Sequence, residues 1–197
     1  MYENIHLTEP KWKSWIIQTT TPLFTPDQCN QIIASGRAQK PQVAQVGMNK
    51  PGGGTDTKKR ITTIGWIPFK EMGHMYHDLY KFIIKANENH FGFGDIQITE
   101  NAQFTEYPEG GFYDWHMDCD VHMQHEPPVR KISMTLLLND PAEFEGGQLE
   151  LMAPGKFADL KQGHAICFAS FLNHRVSKVT RGMRQSLVVW FGGKPFR

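Results

Sequence analysis

The sequence predicts a mainly β fold with supporting helices: a sandwich or barrel of jelly-roll type with an N-terminal helical layer. Three observations carry this. From Ile96 onward the chain is a series of short β-type runs, each bounded by Gly, Pro, Asn or Asp. Two helical patterns precede those runs. No Pro/Ser-rich linker divides the halves, so residues 1–197 read as one domain, with about 1–95 as helical support and early strands and about 96–193 as the jelly-roll core. A chain of 197 residues fits a single domain and is long enough to bury a sizeable core.

The first helix is expected in FTPDQCNQIIASG. Thr25 is placed to cap it, Pro26 takes the first helical position, Asp27 favours the positive end and Gly36 lies near the C-terminus. GMNKPGGGTDTKKR (47–60) is glycine-rich but lacks GxxxxGK[ST], so it reads as a surface loop, and a lid over the site is the functional alternative. ITTIGW (61–66) is β-branched and reads as a strand. From Phe69 to about Asn89, Met72, Met75, Tyr76, Leu79, Phe82, Ile83 and Ala86 recur at three- and four-residue steps, an amphipathic helix with His74 and His77 on its polar side. Then come IQITENAQFTEY, RKISMTLLLN, GGQLELM, HAICFAS, HRVSKV and RQSLVVWF as strands.

A net charge of +1 argues against a nucleic-acid grip built from basic residues, and no basic aromatic track is visible. The N-terminal stretch lacks a charged segment followed by an apolar run, so neither a signal peptide nor a membrane span is expected. The cysteines Cys29, Cys119 and Cys167 are odd in number and without CxxC, which points to a reducing cytoplasm rather than a disulfide framework.

YDWHMDCD (113–120) sets His116 and Asp118 two positions apart. In extended backbone such residues share a face, so an imidazole and a carboxylate can converge on one point. An isolated H-x-D is also what a half-polar strand produces by alternation. FASFLNHRVSKVTRGMRQSLVVWF supplies the missing context. His174 is expected to open a strand, Thr180 to Gly182 to form a turn, and Arg184 to begin the returning strand of a hairpin. Two histidines and a carboxylate on one side of an iron leave three positions open, as in non-haem Fe(II) oxygenases. A keto-acid cosubstrate has a second carboxylate, for which the Arg184 guanidinium is the natural partner, and Ser186 faces the same way.

YPEGGFYDWHMD, SMTLLLNDPAEFEGGQLEL and HRVSKVTRGMRQSLVVW resemble the Fe(II)- and 2-oxoglutarate-dependent dioxygenases of the prolyl 4-hydroxylase superfamily, closest to its PKHD-type hydroxylases. The resemblance implies a double-stranded β-helix. It implies His116, Asp118 and His174 as iron ligands, Arg184 on the distal carboxylate of 2-oxoglutarate, and Tyr107 close to the cosubstrate. Where several relatives have a second tyrosine, this chain has Leu136, Leu137 and Leu138. A second hydroxyl is therefore either missing or supplied by Thr135 or Ser186. The implied reaction uses O2 to convert 2-oxoglutarate to succinate and CO2 while hydroxylating a C–H bond, with ascorbate as an accompanying reductant. A peptidyl proline is the implied substrate, and a free amino acid or an iron-chelating metabolite is the alternative. A non-catalytic metal-binding jelly roll is the rival from another class, but closed structural sites use a fuller set of protein ligands. The sequence does not set the oligomeric state.

His122 and His125 read as a rim loop, His164 as a surface turn, and Gly146 and Gly147 as backbone geometry between strands. Cys119 reads as a small buried residue, and Trp115 and Trp190 as cavity lining or core filling. Trp190 is expected to share the face of Arg184.

Overall fold

The computed structural model describes residues 14–43, 57–119, 128–152 and 158–195. The loop read at 47–60 lies outside them as far as Asp56, and His122 and His125 lie outside them altogether.

In chain order the described elements begin with β1 (Ile16–Gln18), α1 (Pro26–Ala38), β2 (Gln42–Val43), β3 (Arg60–Ile61), β4 (Thr63–Ile67) and α2 (Gly73–Ala86). Then follow β5 (Gln97–Ile98), β6 (Ala102–Tyr107), β7 (Phe112–His116), β8 (Val129–Leu137), β9 (Phe144–Gly146) and β10 (Leu149–Leu151). The last are β11 (Ala165–Ala169), β12 (His174–Val176), β13 (Val179–Gly182) and β14 (Arg184–Gly193). No helix among the described residues is long and apolar enough to cross a membrane.

An eight-stranded sheet runs β1-β11-β8-β14-β6-β4-β2, with β5 also on β14, and it faces a four-stranded sheet ordered β10-β12-β7-β3. The pairings are antiparallel. This is the expected jelly roll. Alternation along β8 explains how RKISMTLLLN serves two layers. Ile132, Met134 and Leu136 pack into the core under the helices with Leu79 and Ile83, while Leu137 points the other way and joins Leu149, Phe168 and Val176 between the sheets.

Helix α1 starts as its sequence dictates. Thr25 Oγ1 accepts from Gln28 N at 3.3 Å, and the Gln28 side chain accepts from Thr25 N at 2.9 Å, a complete capping box ahead of Pro26. Gly36 is there for close approach: a Cβ on it would lie 2.3 Å from Cγ of Phe104 on β6. Helix α2 is shorter than the expected 69–89. Pro68 to Glu71 form a turn closed by Glu71 N donating to Pro68 O at 3.0 Å, so the helix begins at Gly73. At its far end the chain widens into a π-helical turn, Asn87–Phe91, closed by Gly92 at φ 70°. The Asn87 side chain holds both the N–H and the C=O of Phe93 there. His74 and His77 are exposed, as read.

Two expectations are corrected. ITTIGW is not one strand: β3 pairs with β7 in the smaller sheet and β4 with β6 in the larger. Thr62 sits at the switch, its hydroxyl donating to Glu106 O at 2.7 Å. Residues 174–184 do not form a hairpin either. β12 pairs with β10 and β7, β14 with β5, β6 and β8, and Thr180 to Gly182 belong to β13, which pairs with β9. His174 and Arg184 therefore belong to different sheets, joined by a crossover. Competition from β9 for the connecting segment removes the turn.

Candidate metal centre

His116 ends β7, Asp118 follows just beyond it, and His174 opens β12 directly opposite His116 in register. One ligand atom from each lies within 4.8 Å of the others. His116 Nε2 is 3.6 Å from Asp118 Oδ1, and His174 Nε2 is 3.5 Å from Oδ2. The inner nitrogens are tied to backbone. His116 Nδ1 meets Asp114 O at 2.7 Å, and His174 Nδ1 meets Leu172 O at 3.0 Å. A carbonyl can only accept, so each Nδ1 carries a proton and each Nε2 is the nitrogen left to face Asp118.

A bulge aims His116. Tyr113 pairs with Val176 and His116 with His174, so three steps along β7 match two along β12. The extra residue brings Tyr113 and His116 onto one face, where their rings stack with centroids 3.6 Å apart. Strict alternation places them on opposite faces, so the sequence reading missed Tyr113. Burial is the main reason its phenol is pushed up to about 12. Phe168 meets His174 edge-on at 4.6 Å and restrains the second imidazole.

Asp118 lies beyond the strand, and its place is fixed from β8 and the turn after β11. The N–H groups of Asp118 and Cys119 both donate to Ser170 O at 3.0 Å. Ser133 Oγ donates to Asp118 Oδ2 at 2.7 Å and is 3.0 Å from Ser170 Oγ. Burial alone raises the Asp118 pKa, but His174, His116, Arg130 and the Ser133 hydrogen bond outweigh it and hold the carboxyl at about 2. Burial, followed by the proximity of His174, pushes His116 down to about 3. At neutral pH the site therefore offers a carboxylate and a neutral His116 imidazole. Two imidazole nitrogens and one carboxylate oxygen fit Fe(II) with open coordination positions.

Arg184 stands at the start of β14, 2% exposed, opposite Tyr107 on β6. Its Nη1 donates to Ser186 Oγ at 2.9 Å, and its guanidinium lies 5.5 Å from the Tyr107 ring centroid. Ser186 Oγ is 2.6 Å from Thr105 Oγ1, a hydroxyl the sequence reading did not single out. Thr135 shares the inner face with Ser133, but no hydrogen bond among the described residues links it to Arg184. Leu137, opposite Ser186, lines a cavity of about 470 Å³ together with Phe144, Gly147, Leu149, Leu160 and Arg184. Gly146 and Gly147 have φ of 74° and 63°, and a Cβ on Gly147 would stand 2.9 Å from Arg184 Cδ.

The sequence model of the 2OG-Fe(II) oxygenase superfamily matches residues 102–192. That segment belongs to this superfamily. The 2OG-Fe(II) oxygenase segment holds every site residue singled out above: His116, Asp118, His174, Arg184, Tyr107, Ser186 and Thr135. It is similar to a PKHD-type hydroxylase of Acidovorax ebreus (strain TPSY), 33% identical over 93 residues, covering 45% of this chain and 41% of that protein. A PKHD-type hydroxylase of Xylella fastidiosa (strain M12) is 37% identical over 101 residues, covering 47% of this chain and 44% of that protein. The matched stretch thus spans less than half the length of these relatives. The fold is shared with a Pseudomonas putida prolyl-4-hydroxylase, TM-score 0.68 at 22% identity over 92% of this chain and 94% of that one. It is shared also with a viral collagen prolyl hydroxylase from Paramecium Bursaria Chlorella virus-1, TM-score 0.70 at 17% identity over 92% and 97%.

Trp190 sits on the inner face of β14, opposite Ser133, with the Arg130 guanidinium 3.8 Å from its ring centroid. Arg130 is itself held by Glu100 through two hydrogen bonds of 2.7 Å. Trp115 does not line the site. It lies on the outer side of β7 near Arg175, whose partner is Glu150. Cys119 is buried, as expected. His164 is half-buried, its Nδ1 3.1 Å from Thr19 O.

Proposed function

We propose that the chain is an Fe(II)- and 2-oxoglutarate-dependent hydroxylase acting on a peptidyl prolyl residue. The observation that carries the reading is the joint placement of the His116, Asp118 and His174 ligand atoms within 4.8 Å of one another and of Arg184 on the facing sheet. Bound iron and 2-oxoglutarate supply the chemistry, O2-dependent decarboxylation to succinate and CO2 coupled to hydroxylation of a C–H bond.

The chain's own residues do the positioning. His116 and His174 offer lone pairs fixed by the carbonyls of Asp114 and Leu172. Asp118 balances part of the metal's charge, and Ser133 fixes its rotation. Arg184 grips the far carboxylate of 2-oxoglutarate, because its guanidinium is buried beside Ser186 and Thr105 and makes no ion pair among the described residues. Leu137 and the neighbouring cavity leave room where a second hydroxyl would otherwise stand.

The prolyl substrate rests on the likeness to the prolyl hydroxylases of Pseudomonas putida and of Paramecium Bursaria Chlorella virus-1, with a free amino acid or a small iron-chelating metabolite as the alternative. Ascorbate as reductant belongs to the same reading. Cys29, Cys119 and Cys167 form no disulfide, which supports a reducing compartment such as the cytoplasm. The test is succinate formation from 2-oxoglutarate with and without Fe(II), followed by mass spectrometry of candidate peptides and amino acids under labelled O2. Iron-dependent succinate and one labelled oxygen in a prolyl residue support the reading. Label in a free amino acid selects the alternative, and no succinate under any condition removes the hydroxylase.

A further inference from the structure

Two arginines of the described chain are buried, Arg184 at 2% and Arg60 at 7% exposure, and their settings match closely. Each guanidinium lies over a tyrosine of the Y-x-x-G-x-x-Y-x-x-H-x-D run: Arg184 at 5.5 Å from the Tyr107 ring, Arg60 at 4.4 Å from the Tyr113 ring. Each donates to one neutral acceptor, Arg184 Nη1 to Ser186 Oγ at 2.9 Å and Arg60 Nη2 to Gln103 Oε1 at 3.0 Å. Neither has an acidic partner among the described residues, whereas Arg130 pairs with Glu100 and Arg175 with Glu150. Arg60 Nε is buried with no acceptor at all among them. A buried cation with one neutral hydrogen bond is costly until an anion joins it.

Arg184 has its anion in the cosubstrate. We infer that Arg60 awaits another, and that it recognises a carboxylate carried by the substrate. This rests on the hydroxylase reading above. Its position suits the task. Arg60 pairs in register with Tyr113, which stacks at 3.6 Å on His116, so the guanidinium is one ring removed from a metal ligand. Along β6, Tyr107 adjoins Arg184 and Gln103 binds Arg60, with Thr105 between them on the same face. The two guanidiniums thus stand at opposite ends of one inner row, and substrate and cosubstrate approach from opposite ends. The shared chemistry is a carboxylate, whether the α-carboxylate of a free amino acid or an acidic side chain in a peptide.

The test uses the full chain with Fe(II) and 2-oxoglutarate and reads succinate above the substrate-free rate. The probes are free L-amino acids with their C-terminal amides, and proline-containing pentapeptides with Glu or Gln beside the proline. The acid of each active pair should show a KM about tenfold or more below its neutral partner. Arg60→Gln should bring the two together, and Arg60→Lys should keep part of the gap. Free acids preferred over amides assign the α-carboxylate, and Glu peptides preferred over Gln peptides assign the side chain. Equal KM values in the wild type, stimulation by neutral probes alone, or a silent panel with substrate-free turnover intact overturns the inference. Should Arg60→Gln fail to fold, the wild-type contrast decides by itself. Absence of succinate altogether removes the hydroxylase reading first.

Discussion

Ser133 Oγ donates to Asp118 Oδ2 at 2.7 Å, which ties the carboxylate of the metal site to β8, an interior strand of the larger sheet. Asp118 lies past the end of β7, so this bond and the two to Ser170 O do what a strand pairing would otherwise do. Removing the hydroxyl frees the carboxylate to rotate. We predict that Ser133→Ala weakens Fe(II) binding about ten- to hundredfold, the usual effect of losing a partner behind a metal ligand. Metal titration checks this, and unchanged affinity would make Ser133 a packing residue only.

Arg184→Lys should raise the KM for 2-oxoglutarate strongly, because an ammonium cannot reproduce the two-pronged contact of a guanidinium. Iron affinity measured without 2-oxoglutarate should stay within about twofold, since neither side chain ligates the metal. An unaltered KM would reduce the arginine to a structural role.

Gly147→Ala probes the same pocket from its wall. The new Cβ meets Arg184 Cδ and Val179 Cγ2, each at 2.9 Å, on a backbone with φ 63°. The strained backbone alone should cost about 1–2 kcal/mol in a urea melt. Displacement of Arg184 should raise the KM for 2-oxoglutarate as well. Lost stability with an unmoved KM would separate the glycine from the pocket.

Much of this site was legible because its chemistry follows spacing. His116, Asp118, His174 and Arg184 stand in one segment, at separations that survive the misread connection between β12 and β14. What was illegible depended on departures from regular geometry. Tyr113 joins the site only through the bulge in β7, and a period-two reading sends it to the wrong face. Arg60 closes a lysine-rich loop in sequence and becomes buried only because the run 61–66 divides between two sheets at Thr62. Ser133 sits in a largely apolar strand and Thr105 in a mixed one, and nothing local marks their hydroxyls as inward. The layered fold, by contrast, followed from two helical patterns and the strand-rich half after Ile96.

Tyr76 gives a pH signature for the helical layer. Its hydroxyl donates to Ile67 O and accepts from Ala102 N at 2.6 Å, and burial pushes its pKa from 10.0 to about 12. Below pH 10 both folded and unfolded forms keep the proton. Between 10 and 12 the unfolded chain ionises first, so the folded state binds more protons and stability falls as pH rises. Tyr76→Phe should lower stability at pH 7 by about 1–3 kcal/mol, because the Ala102 N–H loses its acceptor. It should also flatten the alkaline decline, leaving the part that Tyr113 and the buried thiols of Cys29 and Cys167 contribute. Denaturant melts across that range check both, and an unchanged slope would remove Tyr76 from the account.

The most direct test of the metal centre is a side-by-side measurement on the wild type and Asp118→Ala: Fe(II) affinity and succinate released from 2-oxoglutarate, with circular dichroism as the control for folding. We predict tight iron binding and iron-dependent succinate from the wild type. The folded variant should bind iron much more weakly and release succinate only at background. Equal succinate release by the two proteins would contradict the assignment of His116, Asp118 and His174 as the ligands of a catalytic iron.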